Sequence, residues 1–318
     1  MFGSAAVEGE SAGEGTPLRG LRVAVLGPGG VGALMAALLA RAGAAVTCLA
    51  GADTVRTLRT TGVRVDSRLF GTFTTPVQAA EQLSEPVDVC FVSVKATQLD
   101  AALQRVPADV LGNALLVPLL NGIEHVDLLR QRYPAARVVP ATIRVESTRT
   151  EAGVVLHTSP FVVVELTVVD EFRAQVQELA DDLQRAGLTV RLSDNEQEVL
   201  WSKLNFLAPF ALLTTHEQAT AGEVRERNRD DLRALVAEVA AVARAEGAVG
   251  DDQQVLTFFD SLPAGMRSSM QRDAEAGRPM ELDAIGAAVV RLADRHGIAV
   301  PVTARYVGEL RARHPSQT

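Results

Sequence analysis

The run Gly27-Pro28-Gly29-Gly30-Val31-Gly32 constrains this chain more than any other stretch. It interrupts Val23–Ala40, a segment without a charged side chain. Uninterrupted, such a segment would be a candidate membrane span. Gly and Pro break it instead into a short apolar strand, Leu21–Leu26, and a helix, Val31–Ala42. A glycine-rich turn that leaves a buried strand and opens a helix is built to hold phosphate. Gly27 permits the tight turn, Gly29 lets the backbone approach a pyrophosphate, and Gly32 lets the helix close on the strand. The helix start adds unpaired N–H groups and the positive end of its dipole. Gly27, Pro28, Gly29, Gly30, Val31 and Gly32 are therefore assigned to a dinucleotide.

Further strand and helix signals alternate beyond this turn. Ala45–Leu49, Val87–Val94, Leu115–Leu120 and Val138–Ile143 read as continuous apolar strands, which implies a parallel sheet covered on both faces. Gly62–Thr75 alternates with period two and predicts a small hairpin. Gly153–Val164, broken at Ser159-Pro160, resembles a second excursion of that kind. After Leu192 the strand signal stops. Glu196–Leu213, Asp231–Gly247, Asp251–Leu262 and Glu281–His296 read as helices, with Leu232, Leu235, Val236, Val239, Ala240 and Ala243 at helical spacing. The expected fold class is α/β: a Rossmann-type doubly wound parallel sheet over 20–193, then an all-helical domain over 194–318. Residues 1–19 read as a disordered leader.

Composition narrows the partners. With 318 residues, 47% hydrophobic and 22% charged, the chain has the balance of a soluble globular protein. A net charge of −8 with scattered basic residues argues against nucleic acid and anionic membrane. No secretory signal opens the chain. Cys48 and Cys90 each lie in an apolar run, without a CxxC or a nearby His, and predict buried thiols, no metal and a cytoplasmic setting.

Ligands of doubly wound sheets bind at the carboxyl ends of the strands. Lys95 follows the strand ending at Val94 and Asn121-Gly122 the strand ending at Leu120, so both converge with Gly27 on one sheet edge. Asp53, with Arg56 and Arg59 beyond it, lies past the second strand; it reads as a helix cap rather than a ribose ligand, and NAD is not excluded. Lys203 is the one charged residue in Val199–Thr215 and shares the apolar face of Leu200 and Leu207. Desolvation there would lower its pKa and suit it to donate a proton to a carbonyl oxygen; a lysine snorkelling at a helix edge has the same pattern. Glu281 opens a helix after Pro279, where a carboxylate is also favoured by the macrodipole. Ser268-Ser269, near Arg267 and Arg272, suit a carboxylate ligand or a solvated helix end.

Taken together, these residues resemble the ketopantoate reductase family from about Leu21 to Arg311. The matching features are the glycine turn, Val94-Lys95-Ala96-Thr97-Gln98, Asn121-Gly122, Leu200-Trp201-Ser202-Lys203-Leu204, Gly222-Glu223-Val224, Ser268-Ser269-Met270, Glu281-Leu282-Asp283 and His296-Gly297-Ile298-Ala299-Val300-Pro301. The resemblance implies NADPH-dependent reduction of a small 2-keto acid. It makes Lys203 the general acid, Glu281 an essential carboxylate near the lysine and nicotinamide ribose, and Ser269 the holder of the substrate carboxylate. Lys95, Gln98 and Asn121 would lie along cofactor and substrate, and a homodimer would be in keeping with the helical domain. The departures are specific. Three asparagines that hold polar groups of the substrate are replaced by Leu207, Ala211 and Ala221, and the arginine that meets the NADP phosphate by Gly51, leaving Arg56 or Arg59 to substitute. Losing such partners lowers discrimination for a substrate hydroxyl. The leading expectation is thus a family reductase for a carbonyl or imine less polar than ketopantoate. A ketopantoate reductase using Asn205 or Thr214 instead is the alternative, and a non-catalytic dinucleotide-binding sensor is the alternative of another class.

Overall fold

The computed structural model describes Leu18 and residues 20–316, so the expected leader lies, apart from Leu18, outside the described residues. The chain opens with β1 (Arg22–Leu26), α1 (Gly30–Arg41), β2 (Ala45–Leu49) and α2 (Ala52–Thr61). The hairpin β3 (Val63–Ser67) and β4 (Gly71–Thr75) follows, then β5 (Gln78–Ala80), β6 (Val89–Val92), α3 (Leu99–Leu103), α4 (Ala108–Leu111), β7 (Leu115–Pro118) and α5 (His125–Arg132). A five-stranded sheet of order β5-β2-β1-β6-β7 is parallel throughout. Its strands read as unbroken apolar runs because alternate residues feed different cores. Val23, Val25, Val89 and Phe91 face the cluster of α1, whereas Ala24, Leu26, Cys90 and Val92 face a cluster shared with the helices of the second half.

The expected strand over Val138–Ile143 does not extend that sheet. Only an isolated bridge joins Val138 to Leu116, and the chain turns away at Pro140, which has no N–H to give a ladder. It continues as β8 (Ala141–Arg144), β9 (Ser147–Glu151), β10 (Val154–His157), β11 (Val163–Thr167), α6 (Arg173–Arg185) and β12 (Thr189–Ser193). The break at Ser159-Pro160 sorts these strands. β10 joins the predicted hairpin in a four-stranded sheet, β4-β3-β10-β9, while β11 falls between β12 and β8 in a three-stranded one.

Everything after β12 is helical among the described residues. α7 (Glu196–Glu217) contains Pro209, is capped by the Asn195 side chain, which accepts from the N–H groups of Gln197 and Glu198, and continues past the expected end at Leu213 to Glu217. α8 (Ala221–Arg227), α9 (Arg229–Ala245), α10 (Asp252–Ser261), α11 (Ser269–Glu275), α12 (Ala288–His296) and α13 (Pro301–Arg313) complete the chain. A π-helical turn, Asp283–Ala287, leads into α12. The short helices α8 and α11 and the closing α13 were not anticipated; α8 carries a capping box between Thr220 and Glu223. Leu200, Trp201, Leu204 and Leu212 of α7 belong to the same core as one sheet face, so α7 is seated against the nucleotide domain. Both cysteines are buried, and burial pushes each thiol up to about 12. No helix of the described residues is long and apolar enough to cross a membrane.

Candidate active site

The glycine turn has the geometry its sequence requires. Gly27 has φ +85°, and a Cβ there would press into Val94. A Cβ on Gly32 would strike Ser93 Oγ and the Gly27 carbonyl, so α1 sits as close to the sheet as glycine permits. Gly30 has a role the sequence did not reveal: β9 lies across the helix start, a Cβ would meet the Ser147 carbonyl, and the Ser147 hydroxyl donates to the Gly30 carbonyl at 2.8 Å. Gly29 faces open space, its nearest neighbour being the Gly27 carbonyl at 4.0 Å from an ideal Cβ. It is the N-cap of α1, with no side-chain cap and no acid in the first turn, so the helix N–H groups are available to an anion. Pro28 is buried beneath the turn and Val31 is part-exposed beside it.

At the neighbouring strand ends, the structure brings two sequence-predicted residues together. The Glu281 carboxylate, 6% exposed, accepts from Asn121 Nδ2 at 2.8 Å and from the Ala96 N–H at 3.1 Å. The loops after β6 and β7 are thereby fastened to the start of the helical segment that runs through the π turn into α12. Gly122, at φ +83°, makes this approach possible, because a Cβ would collide with the Ala284 carbonyl. Lys95 reaches the helical half differently: its Nζ donates to Asp273 at 2.5 Å. Asp273 is 7% exposed in its side chain and also accepts from Arg278 Nε at 2.9 Å. Gln98 is exposed at the end of the short 3-10 turn after Lys95.

Lys203 lies on α7 over this junction. Its ammonium makes no hydrogen bond or ion pair among the described residues. Burial lowers it from 10.5 to about 8, Glu281 pulls it back upward, and Arg144 adds to the lowering. The expectation from the apolar face of Leu200 and Leu207 is therefore met by desolvation. Sequence reasoning missed one neighbour. His125, first residue of α5, is 7% exposed, and neither ring nitrogen has a hydrogen-bond partner. Burial, followed by the charge of Lys203, holds the imidazole down to about 3. Burial therefore favours its neutral form. The only sequence signal was a histidine four residues beyond Asn121. Arg144, engaged with Glu165 at 2.7 Å, is a cation whose charge acts on the lysine.

The predicted substrate wall is apolar and closed in part. Leu207 is part-exposed, while Ala211 and Ala221 are fully covered. Ser269 stands exposed as the first residue of α11, behind Ser268, whose hydroxyl caps the helix by accepting from the Gln271 N–H at 3.1 Å. Thr214 is fully buried and occupied, bonded to the Phe210 carbonyl at 2.7 Å and to Ser268 Oγ at 2.8 Å. Asn205 keeps a buried Oδ1 without a partner. Among the described residues no group of three His, Cys, Asp or Glu side chains is placed to hold a metal ion.

A glycine cradle at the end of β1, with a desolvated lysine beside a carboxylate fastened to the loops after β6 and β7, fits a Rossmann-type oxidoreductase. The family follows from comparison with known proteins. The model of ketopantoate reductase PanE/ApbA matches residues 23–167 and that of its C-terminal part residues 195–314; this chain belongs to that family. A 2-dehydropantoate 2-reductase of Mycobacterium tuberculosis is 33% identical over 304 residues, spanning 88% of this chain and 94% of its own. The crystal structure of a PanE/ApbA family ketopantoate reductase from Ralstonia eutropha superposes with a TM-score of 0.84 at 28% identity, over 93% of this chain and 99% of that one. The ternary structure of a D-mandelate dehydrogenase with NADH and anilino(oxo)acetate shares the fold, with a TM-score of 0.86 at 23% identity over 93% and 99% of the two chains.

Proposed function

We propose that this protein is an NADPH-dependent reductase that delivers hydride to the carbonyl, or imine, carbon of a small substrate less polar than ketopantoate, with Lys203 as general acid. The observation that carries this reading is the desolvated Lys203 ammonium beside Glu281, itself held by Asn121 and the Ala96 N–H. The turn Gly27–Gly32, with Lys95 and Gln98, would hold the dinucleotide, whose nicotinamide supplies the hydride. As the carbonyl carbon gains hydride, its oxygen gains negative charge, and Lys203 Nζ passes a proton to it. The product is an alcohol and the lysine is left neutral. A group poised near 8 serves this step well, because it is charged at working pH yet gives its proton up more readily than a solvated lysine. Glu281 keeps the lysine protonated between turnovers. Ser269 and the start of α11 are offered to a substrate carboxylate.

The apolar wall of Leu207, Ala211 and Ala221 supports a substrate without the hydroxyl of ketopantoate. The test is a screen of 2-keto acids and cyclic imines with NADPH and NADH. Reduction of an aryl or alkyl keto acid at higher kcat/KM than ketopantoate is the expected result; ketopantoate as the best substrate would refute the substrate reading. A second reading, reduction of ketopantoate itself, is favoured by the Mycobacterium tuberculosis relative and by the unpartnered Oδ1 of Asn205. Rescue of a pantothenate auxotroph would support it. A chain that binds NADPH and oxidises it with no carbonyl compound would be a sensor rather than an enzyme.

A further inference from the structure

In a Rossmann domain the adenosine ribose lies at the carboxyl end of the second strand. The group waiting there separates the two nicotinamide dinucleotides: a carboxylate meets a free 2′-hydroxyl, an arginine the 2′-phosphate. Neither comes from β2 or from the turn into α2. Gly51 has no side chain. Asp53 is turned to Arg56 at 3.2 Å, and the two side chains stand in solvent at 94% and 77% exposure. Arg59, the other substitute expected from the sequence, spends its Nε on the Ala79 carbonyl at 2.8 Å.

A guanidinium does reach the place, from a distant part of the chain. Arg105, in the turn after α3, brings Nη2 to 3.9 Å from where a Cβ on Gly51 would stand. It is held at both ends. Its carbonyl accepts from the Leu83 N–H at 2.8 Å, and its Nη1 donates to the Glu81 carbonyl at 2.7 Å. Nη2 and Nε make no hydrogen bond or ion pair among the described residues. Beside it, α2 begins at Gly51 without a side-chain cap, so backbone donors and a fixed guanidinium face the same space. An anchored arginine with an unused edge suits a phosphate in geometry as well as in charge.

We propose that Arg105 binds the 2′-phosphate of NADPH, supplying from the end of α3 the cation that β2 lacks. This rests on the reading of the turn as a nicotinamide dinucleotide site. It accounts for how a chain with Gly51 at that position keeps a phosphate-recognising group, and it assigns Arg56 and Arg59 no part in it.

The test is binding, read from the fluorescence of NADPH and, separately, NADH titrated with the full-length wild type, Arg105→Gln, Arg105→Lys and Arg59→Gln. The wild type should bind NADPH more tightly than NADH. Arg105→Gln should weaken NADPH by roughly ten- to a hundredfold, as expected for loss of a charge-assisted hydrogen bond, while NADH affinity stays within about twofold, which also shows that the variant is folded. Arg105→Lys should lose less, and Arg59→Gln should leave the ratio of the two affinities intact. An unchanged ratio in Arg105→Gln, a ratio collapsed in Arg59→Gln, or a wild type that prefers NADH would each overturn the assignment. A wild type that binds neither dinucleotide would overturn the nicotinamide reading beneath it.

Discussion

Replacing Lys203 with methionine should make this protein more stable and almost inactive, and the gain in stability should shrink as the pH rises. The reasoning starts from the ammonium, which burial lowers from 10.5 to about 8. At about 1.4 kcal/mol per tenfold change in the ionisation equilibrium, holding that charge in the folded state costs about 3 kcal/mol at pH 7. The sign follows from proton counting. Between about pH 8 and 10.5 the unfolded chain binds a proton that the folded one has released, so stability rises with pH across that window. Below pH 8 both states are charged and the whole cost is present. Methionine keeps most of the apolar stem and removes the charge. The expected gain for Lys203→Met is therefore about 3 kcal/mol at pH 7 and about 2 kcal/mol at pH 9, with the part-exposed position of the lysine drawing both toward smaller values. Urea unfolding of both proteins at the two pH values measures it, and NADPH oxidation should fall at least a hundredfold in the variant. A destabilised Lys203→Met, or a gain that does not change between pH 7 and 9, would refute desolvation as the cause and leave the lysine an ordinary helix-edge cation.

The other expectations are simpler. Glu281→Gln removes the anion that holds the Lys203 ammonium up, so the alkaline limb of the kcat profile should move below its wild-type position near pH 8; a limb that stays in place would detach the two residues. Lys95→Met breaks the 2.5 Å pair with Asp273 and leaves that buried carboxylate to the exposed Arg278. With Lys95 more than a third exposed, the cost should be about 1 kcal/mol, seen as a drop of a few degrees in Tm by calorimetry. Leu207→Asn returns an amide to the apolar wall, and the ratio of kcat/KM for ketopantoate over an alkyl 2-keto acid should rise about tenfold or more; an unchanged ratio would place Leu207 outside the substrate pocket.

Local rules made the sheet and the phosphate turn readable in advance. A strand, Gly27 through Gly32 and a helix are contiguous, and each glycine answers a demand set by its own backbone. Period-two and helical spacings did the same for β3 and β4 and for α9. The failures have a physical cause as well. Pro140, where pairing with β7 ends, sits inside the run Val138–Ile143, whose apolar composition reads as one strand. The polar contacts of the site were not readable as contacts at all. Asn121 and Glu281, Lys95 and Asp273, and Arg105 and Gly51 meet only because the chain closes on itself, and no spacing along it encodes those distances. His125 was passed over because a single histidine at a helix start has no periodic partner to mark it.

The proposed mechanism also divides proton delivery and substrate recognition along α7. Leu200, Trp201 and Leu204 hold α7 in the core shared with the sheet, and Leu200 lies on the same stripe of the helix as Lys203. Leu207 lies one turn beyond Lys203 and Ala211 two turns, on the same stripe of the helix. Ala211 is fully buried in that core and Leu207 packs against it while part-exposed, so a larger side chain at Ala211 would disturb the seat of α7 and Leu207 is the position where the wall changes at lower cost. In the proposed mechanism proton delivery depends on α7 being seated against the Rossmann sheet, and substrate choice on side chains further along the same helix. Departures at Leu207 and Ala211 combined with an intact Lys203 are what such a division of labour permits.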